Sequence, residues 1–175
     1  GEVTEVRAGH SSAINLADQI VRYYDYGLRY DLRTAQLGRF TAASNWTYYG
    51  YYAQRRFTTD AYVTSVGRNL PRYRAQSSLA WQRGPWSANL GMNYIHRLRD
   101  LTRDLYEVRR HYTFSAGASY AFRAHPLFGD TRLSLGLENL FDREPPLVPL
   151  ANGYNQGFVG RPGGRFGFAA VKRSW

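Results

Sequence analysis

From Trp86 to Tyr94 the chain changes character at every residue. Trp86, Ala88, Leu90, Met92 and Tyr94 are apolar or aromatic, while Ser87, Asn89, Gly91 and Asn93 between them are small or polar. Period-two alternation places the first set on one face of a β-strand and the second on the other. The code recurs along the chain. Tyr24, Tyr26, Leu28, Tyr30 and Leu32 oppose Asp25, Gly27, Arg29 and Asp31; Phe40, Ala42, Trp46, Tyr48 and Tyr52 oppose Arg39, Thr41, Asn45 and Thr47. Tyr73, Ala75, Leu79 and Trp81 oppose Arg74, Gln76, Ser78 and Gln82. The longest run, Tyr106 to Phe122, sets Val108, Tyr112, Phe114, Ala116, Ala118, Tyr120 and Phe122 against Glu107, Arg109, His111, Thr113, Ser115, Gly117 and Ser119. Leu133, Leu135 and Leu137 then alternate with Arg132, Ser134, Gly136 and Glu138.

These runs, with a truncated strand at 1–8 and a last one at 163–175, predict an all-β fold of about eight antiparallel strands. The connections alternate in length. Those at 34–37, 84–85 and 123–130 are short; those at 9–19, 53–70, 97–105 and 142–162 are long and polar. Outer-membrane β-barrels have this asymmetry, with short periplasmic turns and long extracellular loops. A tilted strand climbs about 2.4 Å per residue, so about 10 residues cross an apolar band ~25 Å tall. Tyr112 and Phe122 are spaced to sit at its two edges. The expectation is a periplasmic-side girdle of Phe40, Trp81, Trp86, Tyr120 and Phe122, with Trp175 near it. The outer girdle would comprise Tyr48, Tyr52, Tyr94 and Tyr112.

Composition agrees with a wall that is greasy on one side and wet on the other. The chain holds 15 Tyr, 4 Trp and 17 Gly, and Tyr and Trp suit interfaces between apolar and aqueous surroundings. No run is long and apolar enough for a transmembrane helix, and the Gly1 end lacks a signal-peptide pattern. Cysteine is absent, so disulfides and thiolate metal sites are excluded. A net charge of +10 raises nucleic acid as a partner, but the arginines are dispersed at polar positions of the strands instead of clustered. The reading is no nucleic acid.

Chemistry is sparse. His10, His96, His111 and His125 are scattered, and the glycines of 160–165 precede a strand instead of the helix that a phosphate loop requires. Glu138, Asp142 and Glu144 are read as the charged lip of a barrel. No enzyme, cofactor or metal site is expected. The candidates for touching a substrate are Tyr49, Tyr51, Arg72 and Arg74, placed inward near the outer mouth, which would offer stacking surface and cationic donors to an anionic ligand.

The last stretch carries a resemblance. After Glu138 come Asn139, Leu140, Phe141, Asp142, Arg143, Glu144, Pro145 and Pro146, then Tyr154 and Asn155, then Gly164, Arg165 and Phe166, and finally the aromatic Trp175. This closely resembles the C-terminal end of TonB-dependent outer-membrane receptors, specifically from Thr131 onward and in pattern only before it. Arg173 departs from the family, interrupting the apolar series counted back from Trp175, and leaves the facing of the last strand open.

The resemblance implies that residues 1–175 are the C-terminal part of a larger transmembrane β-barrel, about 22 strands in such transporters, without its plug domain. It implies a place in the bacterial outer membrane, in contact with its lipid. Function would be active uptake of a scarce nutrient, foremost a siderophore–iron complex, with cobalamin or an oligosaccharide as alternatives. The TonB complex would act through a TonB box in an N-terminal region not in this chain, and the outer-membrane assembly machinery would read the end at Trp175. Two other readings are a small complete outer-membrane barrel with a structural or adhesion role and, more remotely, a soluble basic β-protein that binds nucleic acid.

Overall fold

A computed structural model describes residues 18–68, 70–100, 106–125, 127, 129–146 and 164–174. Seven long strands follow one another: β1 (Asp18–Thr34), β2 (Gly38–Arg55), β4 (Tyr73–Arg83), β5 (Trp86–Ile95), β8 (His111–His125), β9 (Gly129–Glu138) and β10 (Phe166–Ser174). Each pairs antiparallel with the next, in the order β1-β2-β4-β5-β8-β9-β10. Three short strands lie in the longer connections. β3 (Val63–Thr64) adds to β2, and β6 (Leu98–Asp100) pairs with β7 (Tyr106–Val108) as a separate hairpin. Among the described residues the sheet is open, and β1 and β10 are its edges.

The strands expected from about 20, 38, 72, 86, 131 and 163 are present; the one at 1–8 lies outside the described residues. The run from Tyr106 to Phe122 is not one strand. It breaks at Arg109 and Arg110, and Val108, expected on the apolar face, is fully buried against Leu98 with Ile95 packed on them. Alternation cannot detect such a break, because Leu98 and Val108 keep apolar spacing while serving a different, local core. The expected loop 97–105 thus begins as half of a hairpin.

The short connections all lie at one end of the sheet. In the first, Thr34 Oγ1 donates to the Gly38 carbonyl (3.0 Å) and accepts from the Leu37 amide (3.0 Å), while Trp81 Nε1 donates to the Leu37 carbonyl (2.7 Å). Gly38 has φ 88°, and a Cβ there would lie 2.3 Å from the Gln82 carbonyl oxygen, so only glycine fits.

Register gives the two faces. Leu28, Ser44, Ser77, Met92 and Phe114 share one rung of one face, and the next puts Ala42, Leu79, Leu90, Ala116 and Leu137 in line. This face is exposed: Leu28 is 72% accessible, Leu90 53% and Leu135 66%. The buried apolar set among the described residues is Ala53, Val66, Pro71, Ala75, Leu98 and Val108. Large apolar side chains stand exposed on this face of β1, β2, β4, β5, β9 and β10, among them Tyr26, Trp46, Leu79, Leu90, Leu135 and Val171, and an exposed apolar patch of this kind marks an interaction surface. β10 is settled too. Arg173 lies opposite Thr131 and Val171 opposite Leu133, so Arg173 belongs to the apolar face, and Phe166 and Phe168 to the other.

Candidate functional site

The second face is polar and concave. Residues from all seven long strands line one trough of about 610 Å³, from Arg29 on β1 to Phe168 on β10. Side chains so far apart in the strand order meet around one volume because the sheet curls. Its floor is small and hydroxylated: Ser87 and Ser119 share a 2.7 Å hydrogen bond, and Ser134 is opposite Ser119. At the β1 side, the Asp31 carboxylate accepts from Arg29 (3.0 Å), Arg39 (3.0 Å) and Thr41 (2.6 Å), which arranges two guanidiniums along the wall. At the β10 side, Phe168 lies over Gly136, where a Cβ would come 2.4 Å from its ring. An aromatic covering a cross-strand glycine in this way fills the gap the missing side chain leaves.

The four candidate substrate contacts do not converge. Tyr49 faces Tyr23 at 6.1 Å between ring centroids, on the concave side. Gly50 is then skipped in the pairing, a β-bulge, and Tyr51 stands opposite Arg22, whose guanidinium lies 6.0 Å from the Tyr51 ring. Because Arg22 shares the parity of Tyr24, the bulge turns Tyr51 to the apolar face and Tyr52 to the concave one. Sequence alternation alone gave the opposite facing for both. Arg74 is on the concave face, in register with Thr47 and Ile95. Arg72 immediately precedes β4, and its carbonyl accepts the Tyr49 amide (2.9 Å).

Two rows of aromatics cross the apolar face. Near the short turns, Phe40 pairs with Trp81, Trp86 packs edge-on to Tyr120 (4.6 Å), and Tyr120 to Phe122 (4.7 Å). Near the long connections, Tyr24 reaches Tyr48 (6.1 Å), Tyr48 reaches Tyr73 (5.1 Å), and Tyr94 pairs with Tyr112. His96 closes this row, with its ring 5.4 Å from Tyr73 and its Nδ1 3.0 Å from the Tyr94 hydroxyl. Partial burial, then Arg97, Arg72 and Arg110, hold its pKa below the ordinary imidazole value. Tyr73 to Trp81, Tyr94 to Trp86 and Tyr112 to Tyr120 are the same length, so the rows are parallel and about 27 Å apart along the strands at the ordinary rise of ~3.4 Å per residue.

The segment that carries the family resemblance forms a compact corner. Asn139 (φ 51°) closes a turn on itself: its Oδ1 accepts the Arg143 amide (2.9 Å) and its Nδ2 donates to the Arg143 carbonyl (3.0 Å). Leu140 donates its amide to the Phe114 carbonyl (2.8 Å), and Phe141 packs edge-on to Phe114 (5.5 Å). Asp142 (φ 53°) accepts the Arg165 amide at 2.6 Å, and a Cβ on Gly164 would come 2.8 Å from that carboxylate oxygen. Asp142, Gly164 and Arg165 therefore tie the exit of β9 to the start of β10. Pro145 and Pro146 follow without ladder pairing, and Trp175 lies outside the described residues.

Some contacts had no signal in the sequence. The Tyr62 hydroxyl donates to Asp18 (2.5 Å), Arg55 also binds Asp18 (2.9 Å), and the Arg55 guanidinium lies 4.8 Å from the Tyr62 ring. Arg143 stacks 3.7 Å from the Tyr112 ring centroid. Compared with protein-family models, with curated proteins and with solved structures, the chain finds no match.

Proposed function

We propose that this chain is wall of a transmembrane β-barrel of the bacterial outer membrane, with its apolar face in lipid and its polar trough facing the lumen. The observation that carries this reading is the pairing of an exposed apolar face, bounded by two parallel aromatic rows, with a curved polar face. Connection lengths supply the orientation: the short-turn end faces the periplasm.

The strand directions bear on closure. β1 and β10 run in the same direction, so closing the sheet with antiparallel pairs takes an odd number of further strands between them. Even-numbered barrels of eight and of about 22 strands both meet this; the corner from Asn139 to Arg165, which resembles that of TonB-dependent receptors, favours the larger. The function that follows is energised uptake of a scarce nutrient, first among the candidates a siderophore–iron complex. The segment supplies wall, outer connections and part of the lumen.

Uptake of a panel of radiolabelled ferric chelates in cells with and without the gene tests this directly. Loss of accumulation of one chelate, reproduced by dissipating the proton-motive force, is the expected result. Unchanged accumulation of every chelate, cobalamin and oligosaccharide offered would overturn the uptake reading while leaving the wall intact.

A further inference from the structure

Cations gather just beyond the outer aromatic row, on the apolar side of the sheet. Arg143 stacks on Tyr112 and Arg22 stands over Tyr51, so two guanidiniums are mounted on tyrosine rings at the rim. Arg110 lies two residues before Tyr112 in the chain, and Arg110, Arg72 and Arg97 all act electrostatically on His96, which is itself held by Tyr73 and Tyr94. Of these arginines only Arg97 has a carboxylate partner among the described residues, Glu107 at 3.0 Å. Arg22 and Arg143 lay their guanidiniums on rings of the apolar face, an arrangement in which a long stem covers apolar surface while the head keeps its charge.

We infer that this rim is a docking surface for the phosphate-bearing headgroups of anionic lipids, with Arg110 and Arg143 as its principal phosphate partners. The inference rests on the membrane reading above. Position argues for lipid over a soluble anion: the charges continue the lipid-facing surface at the height where headgroups begin and point away from the trough. Charge complementarity argues for anionic over zwitterionic lipid, since each arginine near a membrane surface contributes to attraction of anionic headgroups. Stacking on Tyr112 holds the Arg143 guanidinium flat and leaves its outer edge to offer paired donors to phosphate oxygens.

The test uses the full-length protein in mixed micelles of phosphatidylglycerol and phosphatidylcholine, with retained lipid counted by native mass spectrometry. The wild type should keep phosphatidylglycerol in preference. Arg110→Gln with Arg143→Gln should lower that preference roughly tenfold or more. Gln76→Glu with Asn93→Asp changes net charge equally on the concave face and should leave it unchanged. Arg143→Lys, which keeps the charge, should retain most of the preference and guards against a folding defect. Equal retention in the wild type and the arginine pair, or protection of the rim by inorganic phosphate alone, would overturn the inference. A protein that inserts into vesicles but shows no headgroup preference refutes only this surface; one that does not insert refutes the membrane reading as well.

Discussion

Adjacent rungs of the sheet show how differently its two faces are built. On one, Leu79, Leu90 and Ala116 stand side by side; one residue along, on the other, Ser78, Gly91 and Ser115 do. The backbone pairing is the same for both, so the ladder contributes alike and side chains alone set the contrast. A soluble sandwich would bury the first set against a second sheet. Here the apolar rungs stay exposed while the polar ones curve around a trough, which inverts the usual arrangement of inside and outside. On the reading proposed above, the convex side meets lipid.

That contrast can be broken by a charge. Leu79→Arg should cost about 2–4 kcal/mol in lipid, the range for arginine on the lipid face of a barrel, whereas Gln76→Arg on the concave face should stay within about 0.5 kcal/mol. Denaturant unfolding of the protein in vesicles measures both. Equal effects would mean that the faces share one environment.

The next largest effect comes from the bulge. Deleting Gly50 removes the extra residue, so the ladder becomes regular while Tyr51 keeps Arg22 opposite it and Arg55 keeps Asp18, and both tyrosines keep their faces. A cysteine at position 52 should react with a water-soluble maleimide through the concave face both when Gly50 is present and when it is deleted, with about 1–3 kcal/mol lost in stability on deletion as the local bend and twist of the bulge are lost. Shielding of position 52 while Gly50 is present would show that the local pairing is otherwise.

Smaller still, Phe168→Ala uncovers Gly136 and should cost about 1 kcal/mol, and Gly136→Ala should be tolerated better in that background than alone because the ring no longer occupies the space. Thermal unfolding of the double-mutant cycle reads the coupling.

The least effect is confined to the outer end. Asp18 has its pKa lowered, first by the Tyr62 hydroxyl and then by Arg55. A folded-state value below the unfolded one means that the tie contributes above the ordinary carboxylate pKa and is lost as pH falls through the folded value. Tyr62→Phe should move the Asp18 titration back upward by NMR, with little change in stability near neutral pH.

Much of this architecture was legible because each strand has one consistent environment per face. Leu90 and Asn89 are assigned by parity alone, and the turn at Gly84 by its glycine. What escaped is what breaks the period. Gly50 adds a residue without altering the apparent alternation of tyrosines, so Tyr51 and Tyr52 were assigned to the wrong faces. Val108 keeps strand spacing yet packs with Leu98, a partner defined only by the hairpin. The corner at Asn139 was recognisable as a pattern, but Asp142 reaching the Arg165 amide across the connection is tertiary information. The cationic rim likewise combines residues from β1, the β5–β8 connection and the β9 exit, and only the fold brings them to one height.

The central claim is that parity along one strand sets lipid against water, and β5 tests it most directly. The chain has no cysteine, so thiols placed one at a time at Ala88, Asn89, Leu90, Met92 and Asn93 are unique within it. Each would carry an environment-sensitive fluorophore in vesicles that contain brominated lipid. The account predicts strong quenching at Ala88, Leu90 and Met92, and little at Asn89 and Asn93. Uniform quenching, or none at the apolar positions, would contradict it.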